Sequence, residues 1–393
     1  MLLMRHPGWL ALFTTVFSTT LHAQRVDTLR MTLRWEVAEG KHPTADSLGK
    51  LSGVAMDASG NVYVSDLADA RVWVFDADGK SVRSIGRKGR GPGEFASPTG
   101  IGIGPDGKLY VRDVAHVSRF GADPETKRLT RFESNFRGPE MSDWRSLRAT
   151  RFDRAGHLYY PAFNTIDRAQ RTGWFLQFTL GGERRDSLEV PAFPGAPSST
   201  AWVRLDANGG RMLSGLSHVP FEPLPVWDVT PRGTLLSGDG KTYRLRETDA
   251  GGNVVREYRR EIGAERIPPR ERRDSLAALG ARLDSIKVPW SQVGGVPDAV
   301  RARRLPEQYP PYLDAYAAED GRIWVRRWVA NGDVRTVFDV FDADGRFRRV
   351  VELPRRIADF PSPVLTLDAI VAIGVDPETG AHSVLRFGAP ERR

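Results

Sequence analysis

Cysteine is absent from all 393 residues. Disulfides, thiolate metal sites and a lipid anchor on an N-terminal cysteine are therefore excluded. Histidine is sparse, with seven in the chain, and no two stand at H-x-H or H-x-x-x-H spacing. A local zinc motif of that kind is excluded, although a site assembled from distant segments is not. The chain carries no nucleophile elbow or cofactor motif. Lysine is scarce, so the net charge of +8 rests mainly on arginine interspersed with Asp and Glu. That pattern reads as a solvated, weakly basic surface, and no nucleic-acid partner is expected. Long apolar runs are missing too. The longest near the start, Trp9–Phe17, is broken by Thr14 and Thr15 and is too short to span a bilayer. With Arg5 before it and Ala23 after it, it reads as a secretory signal peptide over residues 1–23. The expected location is periplasmic or secreted, with no stable membrane span after cleavage.

What is abundant is repetition. Residues 53–85 read GVAMDASGNVYVSDLADARVWVFDADGKSVRSI, and residues 100–132 read GIGIGPDGKLYVRDVAHVSRFGADPETKRLTRF. Each is a small-apolar strand, an Asp- or Pro-led turn closed by Gly, a second strand, a loop, a strand ending in Phe, another turn and an outer strand. Four strands per period of roughly 40–50 residues is the signature of a β-propeller blade. A blade cannot bury its own faces, so the repeat dictates the architecture of the whole chain.

Weaker copies follow at 148–163, 227–258 and 314–353, the last repeating the FDADG of 75–79 at 341–345. The final copy, 364–387, offers only three strands. The alternating segment 26–37 is expected to supply the missing outer strand, which would close the ring and remove a sheet edge. The predicted fold is all-β: a six-bladed β-propeller of four-stranded antiparallel blades over residues 24–393, expected to be a monomer.

A short helical insertion at about 263–309, between blades four and five, interrupts the pattern. Leu276, Leu279, Leu283 and Ile286 recur at helical spacing, with Asp274 as the expected N-cap, and a second short helix is expected over 297–305. Such an excursion lies over the loop-rich face as packing or as a lid. An extra hairpin is expected over 198–222.

The two N-terminal units resemble NHL repeats of the six-bladed propeller superfamily. The linker GRKGRGPGEFASPTGI at 86–101 is similar to the glycine-rich linker of that family. The resemblance is strong over about 51–132 and absent over 259–309. It implies a fold, not an activity. Related six-bladed propellers include calcium-dependent lactonases, metal-dependent amidating lyases and streptogramin lyases. The resemblance carries none of their catalytic residues to this chain.

Candidate site residues lie where the second-to-third-strand loops and the blade-to-blade linkers crowd one face. Arg87, Lys88 and Arg90 set three cations on a glycine-rich linker, a pattern suited to a carboxylate or phosphate. Arg112, Asp113 and His116 sit in the corresponding loop of blade two, where imidazole can serve as base or ligand. Arg326 is offered by blade five, and strand alternation allows only one of Arg326 and Arg327 to face the channel easily. The equivalent carboxylates Asp66 and Asp113 fit either a cation ring or, as expected here, caps on their own turns. These residues point to a recognition scaffold for a protein, peptide or glycan, with no cofactor. The alternative is a metal-dependent hydrolase or lyase using calcium or zinc in the axial channel.

Overall fold

The computed structural model describes residues 27–38, 48–113, 116–121, 127–131, 150–163, 173–191, 202–205, 211–213, 220–284, 293–294, 305–330, 332–376 and 378–390. The expected signal peptide at 1–23, His42, His218 and the expected second helix up to residue 304 lie outside these.

Two short strands, β1 (Thr28–Arg30) and β2 (Thr32–Ala38), precede the first blade. Blade one is β3 (Leu51–Met56), β4 (Val62–Asp66), β5 (Arg71–Phe75) and β6 (Ser81–Ile85). Blade two is β7 (Gly100–Ile103), β8 (Leu109–Arg112), β9 (His116–Phe120) and β10 (Lys127–Arg131). Blade three is β11 (Arg151–Phe152), β12 (His157–Phe163), β13 (Gly173–Thr179) and β14 (Arg184–Val190). A hairpin of β15 (Trp202–Leu205) and β16 (Arg211–Leu213) leads to blade four. That blade is β17 (Val226–Val229), β18 (Leu235–Gly238), β19 (Arg244–Thr248) and β20 (Val254–Arg259). The insertion then contributes helix α1 (Pro269–Asp284) and strand β21 (Val293–Gly294). Blade five is β22 (Asp314–Ala317), β23 (Ile323–Arg326), β24 (Thr336–Phe341) and β25 (Phe347–Leu353). Blade six has β26 (Val364–Leu365), β27 (Ala369–Val375) and β28 (His382–Gly388) of its own.

Within each of blades one to five the four consecutive strands pair in order and antiparallel, giving the six-bladed propeller its repeating sheet. The tight turns have a local cause. Asp57 accepts the backbone N–H groups of Ser59 and Asn61 at 2.9 Å each. Gly60 follows at φ 84°, a region that a side chain rarely enters. Asp342 repeats the arrangement in blade five, accepting from Asp344 and Arg346.

The N-terminal segment divides at Met31. β2 lies antiparallel to β28, from Thr32 opposite Gly388 to Ala38 opposite Ser383, and is the fourth strand of blade six. β1 instead adds in parallel to β25, the outer strand of blade five. Met31 itself is buried among Trp324, Phe338, Ile370 and Phe387, in the core between those two blades.

The seam between blades six and one is stitched from both sides. The Leu51 N–H donates to His382 Nδ1 at 3.1 Å. Arg386 donates to the carbonyls of Gly60 and Ala77 at 3.1 and 2.7 Å. Comparable apolar clusters fill the other described seams: Val72, Phe95, Ile101 and Val111 lie between blades one and two, and Leu236, Tyr258, Tyr312 and Phe341 between four and five.

The helix begins earlier than the apolar spacing indicates. Pro269 opens it, and the Pro268 carbonyl accepts the first helical bond, from Arg272 N, at 3.1 Å. Proline suits that first position because the N–H it lacks would be unpaired there. Asp274 is therefore inside the helix, 3.7 Å from Arg270 one turn back, and not its cap. β21 pairs antiparallel with β15, which pairs with β16, so the insertions on either side of blade four share one small three-stranded sheet. Among the described residues no helix is long and apolar enough to cross a membrane.

Candidate functional site

The second strand of every blade runs toward the same face. Asp66, Arg112, Phe163, Gly238, Arg326 and Val375 end β4, β8, β12, β18, β23 and β27 there. The blade-to-blade linkers and α1 are on this side as well, since each connects an outer strand to the next inner one.

On blades one and two the polar residues of this face are committed to the backbone. Asp66 accepts the N–H groups of Gly49 and Ala68 at 2.9 and 3.0 Å and has no exposed surface. Asp113 accepts those of Ala96 and Ser97 at 2.7 and 2.6 Å, fastening the glycine-rich linker to blade two. His116 Nε2 stands 3.6 Å from the Asp113 carboxylate. Arg112 is buried and donates from Nε and Nη2 to the hydroxyl and carbonyl of Thr99 at 3.4 and 3.3 Å. Its guanidinium carbon lies 5.7 Å from the Tyr160 ring centre. Burial pushes the Tyr160 hydroxyl above its ordinary pKa, against the opposing pull of Arg112.

The linker cations are outward. Arg87 is exposed and donates to Glu94 at 3.0 Å. The Gly91 N–H and then Arg87 hold the Glu94 carboxyl below its usual range. Lys88 and Arg90 are also exposed. Arg87, Lys88, Arg90, Arg112, Asp113 and His116 thus form one neighbourhood joined through the 87–97 linker, and Arg326 lies apart from it.

Arg326 lines a cavity of about 460 Å³ at the junction of blades five and six. It is 4% exposed, and its guanidinium donates to the carbonyls of Ile357 and Ala358 at 2.8 and 3.0 Å and meets Asp359 at 3.1 Å. Arg327, Arg335 and Arg356 also line the cavity. Arg327 falls just past the end of β23, but its N–H still donates to the Val337 carbonyl at 2.9 Å, and its charge opposes the rise that burial imposes on the Tyr243 hydroxyl of blade four. Arg335 is paired with Asp333 at 2.8 Å and Glu352 at 3.4 Å, and it holds the Asp333 carboxyl below the ordinary range. Among the described residues neither Arg327 nor Arg356 has a carboxylate within ion-pair distance. Arg356 donates to the Val329 carbonyl at 3.2 Å. Asp359 is the single carboxylate of the lining, against four guanidinium groups.

The remaining wall is mostly apolar, including Trp328, Val329, Ile357 and Phe360. Trp328 stacks on Tyr309 with ring centres 6.1 Å apart and meets Phe221 at 5.9 Å. The Tyr309 hydroxyl donates to Glu271 of α1 at 2.7 Å, so the insertion is tied to the cavity wall. Burial and then Glu271 push the Tyr309 hydroxyl upward. Phe221 adopts φ 65° in the loop leading to blade four. Beside it, burial raises the Glu222 carboxyl, and its Oε2 has no partner among the described residues.

Arg335, Arg356, Trp328 and Phe360 carry no repeat signature, and the sequence reading did not select them. The paired arginines at 355–356, next to the unmatched FPSP of the blade five-to-six linker, were the available signal. Among the described residues no three His, Asp or Glu side chains gather closely enough to hold a metal ion.

Residues 45–136 match a family model, DUF5128, described as a 6-bladed beta-propeller. No curated protein matches the chain in sequence. Among solved structures the chain is similar to virginiamycin B lyase from Staphylococcus aureus, at 11% identity over 90% of this chain and 99% of that one, with a TM-score of 0.43. It is similar to the calcium-binding protein regucalcin from Agrobacterium tumefaciens, at 14% identity over 93% and 97%, with a TM-score of 0.41. It is also similar to the PQQ-bound aldose sugar dehydrogenase from Streptomyces coelicolor, at 14% identity over 92% and 98%, with a TM-score of 0.42.

Proposed function

We propose that this propeller is an exported recognition scaffold that holds a protein, peptide or glycan ligand on its loop-rich face. The observation that carries this reading is the cavity between blades five and six. It is about 460 Å³ in volume and is walled by four arginines and a mainly apolar surface. A concave, largely apolar site with a few convergent polar groups is the usual form of a ligand pocket. Electrostatics favour an anionic group: Arg327 and Arg356 keep their charges without carboxylate partners among the described residues, while Arg326 and Arg335 are paired. The leader pattern of residues 1–23 supports the exported half of the reading.

The test is retention of ligands from peptide and glycan arrays by the intact chain, compared with an Arg327→Glu/Arg356→Glu double variant. The reading expects ligands that the native chain retains and the double variant releases. Equal retention by both would place recognition elsewhere. Chemical conversion of the retained compounds, followed by mass spectrometry, would replace recognition with catalysis.

A further inference from the structure

We propose that the cavity between blades five and six binds a peptide carboxylate next to an apolar side chain, an inference that rests on the recognition reading above. Arg356 is the leading charge partner, with Arg327 as a second, more distant cation, and Trp328, Ile357 and Phe360 are the apolar wall.

Three observations select this chemistry. The first is charge. Arg326 and Arg335 are neutralised by Asp359, Asp333 and Glu352, which leaves Arg356, and Arg327 at longer range beside Tyr243, to attract an incoming group. A planar guanidinium fork matches a carboxylate in geometry as well as in charge.

The second is the scarcity of neutral polar side chains. Thr336 is the one neutral hydroxyl of the lining, and it is already committed. It donates to the Arg355 carbonyl at 3.0 Å and accepts from the Ile357 N–H at 3.1 Å. Away from the arginines and Asp359, a sugar's hydroxyls would meet a wall of Trp, Val, Ile, Ala, Phe and Leu, and each one left without a partner there carries a cost. An apolar amino-acid side chain loses nothing there.

The third is rigidity. Arg326 is fixed by two linker carbonyls, and Trp328 is clamped by Tyr309 and Phe221. A wall that does not have to be ordered on binding spends less of the contact energy on immobilisation.

The experiment is calorimetric titration of the intact chain, its Arg327→Gln variant and its Arg356→Gln variant. The probes are acetyl-Ala-Phe as the free acid, acetyl-Phe-Asp-amide, the uncharged acetyl-Phe-Asn-amide, and glucuronic acid. At least one carboxylate peptide is expected to bind, on the order of tenfold more tightly than the uncharged one. Arg356→Gln should remove about tenfold of that preference and Arg327→Gln less, and both should leave the uncharged probe unaffected. Arg356 is exposed, so its variant keeps the fold. Binding of the free acid but not the amide assigns a chain-terminal carboxylate, and the reverse assigns an acidic side chain. Equal binding of the uncharged probe, indifference to both variants, or binding of glucuronate alone would overturn the carboxylate-peptide assignment. Silence of every peptide probe would do the same. None of these outcomes decides the recognition reading, which stands or falls on the array experiment.

Discussion

Asp228 receives the guanidinium of Arg151 from the neighbouring blade in a two-pronged contact, Nε at 2.8 Å and Nη2 at 2.7 Å. The same carboxylate accepts the Ala317 N–H at 3.0 Å, so one buried side chain links the inner strands of blades three, four and five. A buried ion pair adds little over an apolar pair of the same shape, but stranding one partner is costly. Arg151→Met should therefore destabilise the fold by about 3–5 kcal/mol. Adding Asp228→Leu should recover part of that loss, and urea denaturation of the three proteins measures it. Additive losses in the double variant would show that the two side chains do not act as a unit.

Met31 predicts a different loss. It sits at the crossover between β1 and β2, 3% exposed, in the core shared by blades five and six. Met31→Ala leaves a cavity in a region that both strands hold rigid, at a cost of about 2–5 kcal/mol. Hydrogen exchange should locate the loosened amides in β25 and β28, with blades two and three unchanged.

The Tyr309–Glu271 bond sets how firmly α1 is held. Tyr309→Phe removes one hydrogen bond to a charged acceptor, about 1.5–3 kcal/mol locally. The expected outcome is faster amide exchange across α1 with little change in the global Tm. A uniform rise in exchange across all blades would show that the insertion is part of the cooperative core.

Glu222 gives a pH signature. Burial raises its carboxyl from the ordinary value of 4.5. A carboxyl with a raised folded pKa favours the folded state when protonated, and that contribution is lost as pH rises through the folded value. At neutral pH the charged form is a liability, so Glu222→Gln should have a higher Tm than the native chain there. The difference should close as pH falls below about 4.5, where both side chains are neutral. A Tm gap that does not change with pH would mean that the glutamate charge is solvated in the fold.

What the sequence made legible was what repeats. Asp76 and Gly79 in blade one, and again Asp342 and Gly345 in blade five, mark the same hairpin of third and fourth strands because the φ and the carboxylate-capped turn recur. The expectation that Asp66 caps its own turn followed from the same logic and is displayed by its bond from Ala68, whereas Asp113 receives the N–H groups of Ala96 and Ser97 from the preceding linker. The cavity was not legible, because its wall is made where nothing repeats. Arg327 and Trp328 follow a strand end, Arg356 and Phe360 sit in a linker, and they meet only after blades five and six have packed. The start of α1 was misplaced for a related reason. The apolar stripe from Leu276 marks where the helix needs cover, whereas Pro269 fixes where it begins.

The crossover at Met31 also has a meaning in time. During synthesis β2 is made before the first blade, and its partner β28 only after five blades have emerged. Five blades can assemble in order while the segment that completes the sixth waits without its mate. Until β28 is delivered, the partial ring carries open sheet margins at both of its sides, and closure waits for that strand.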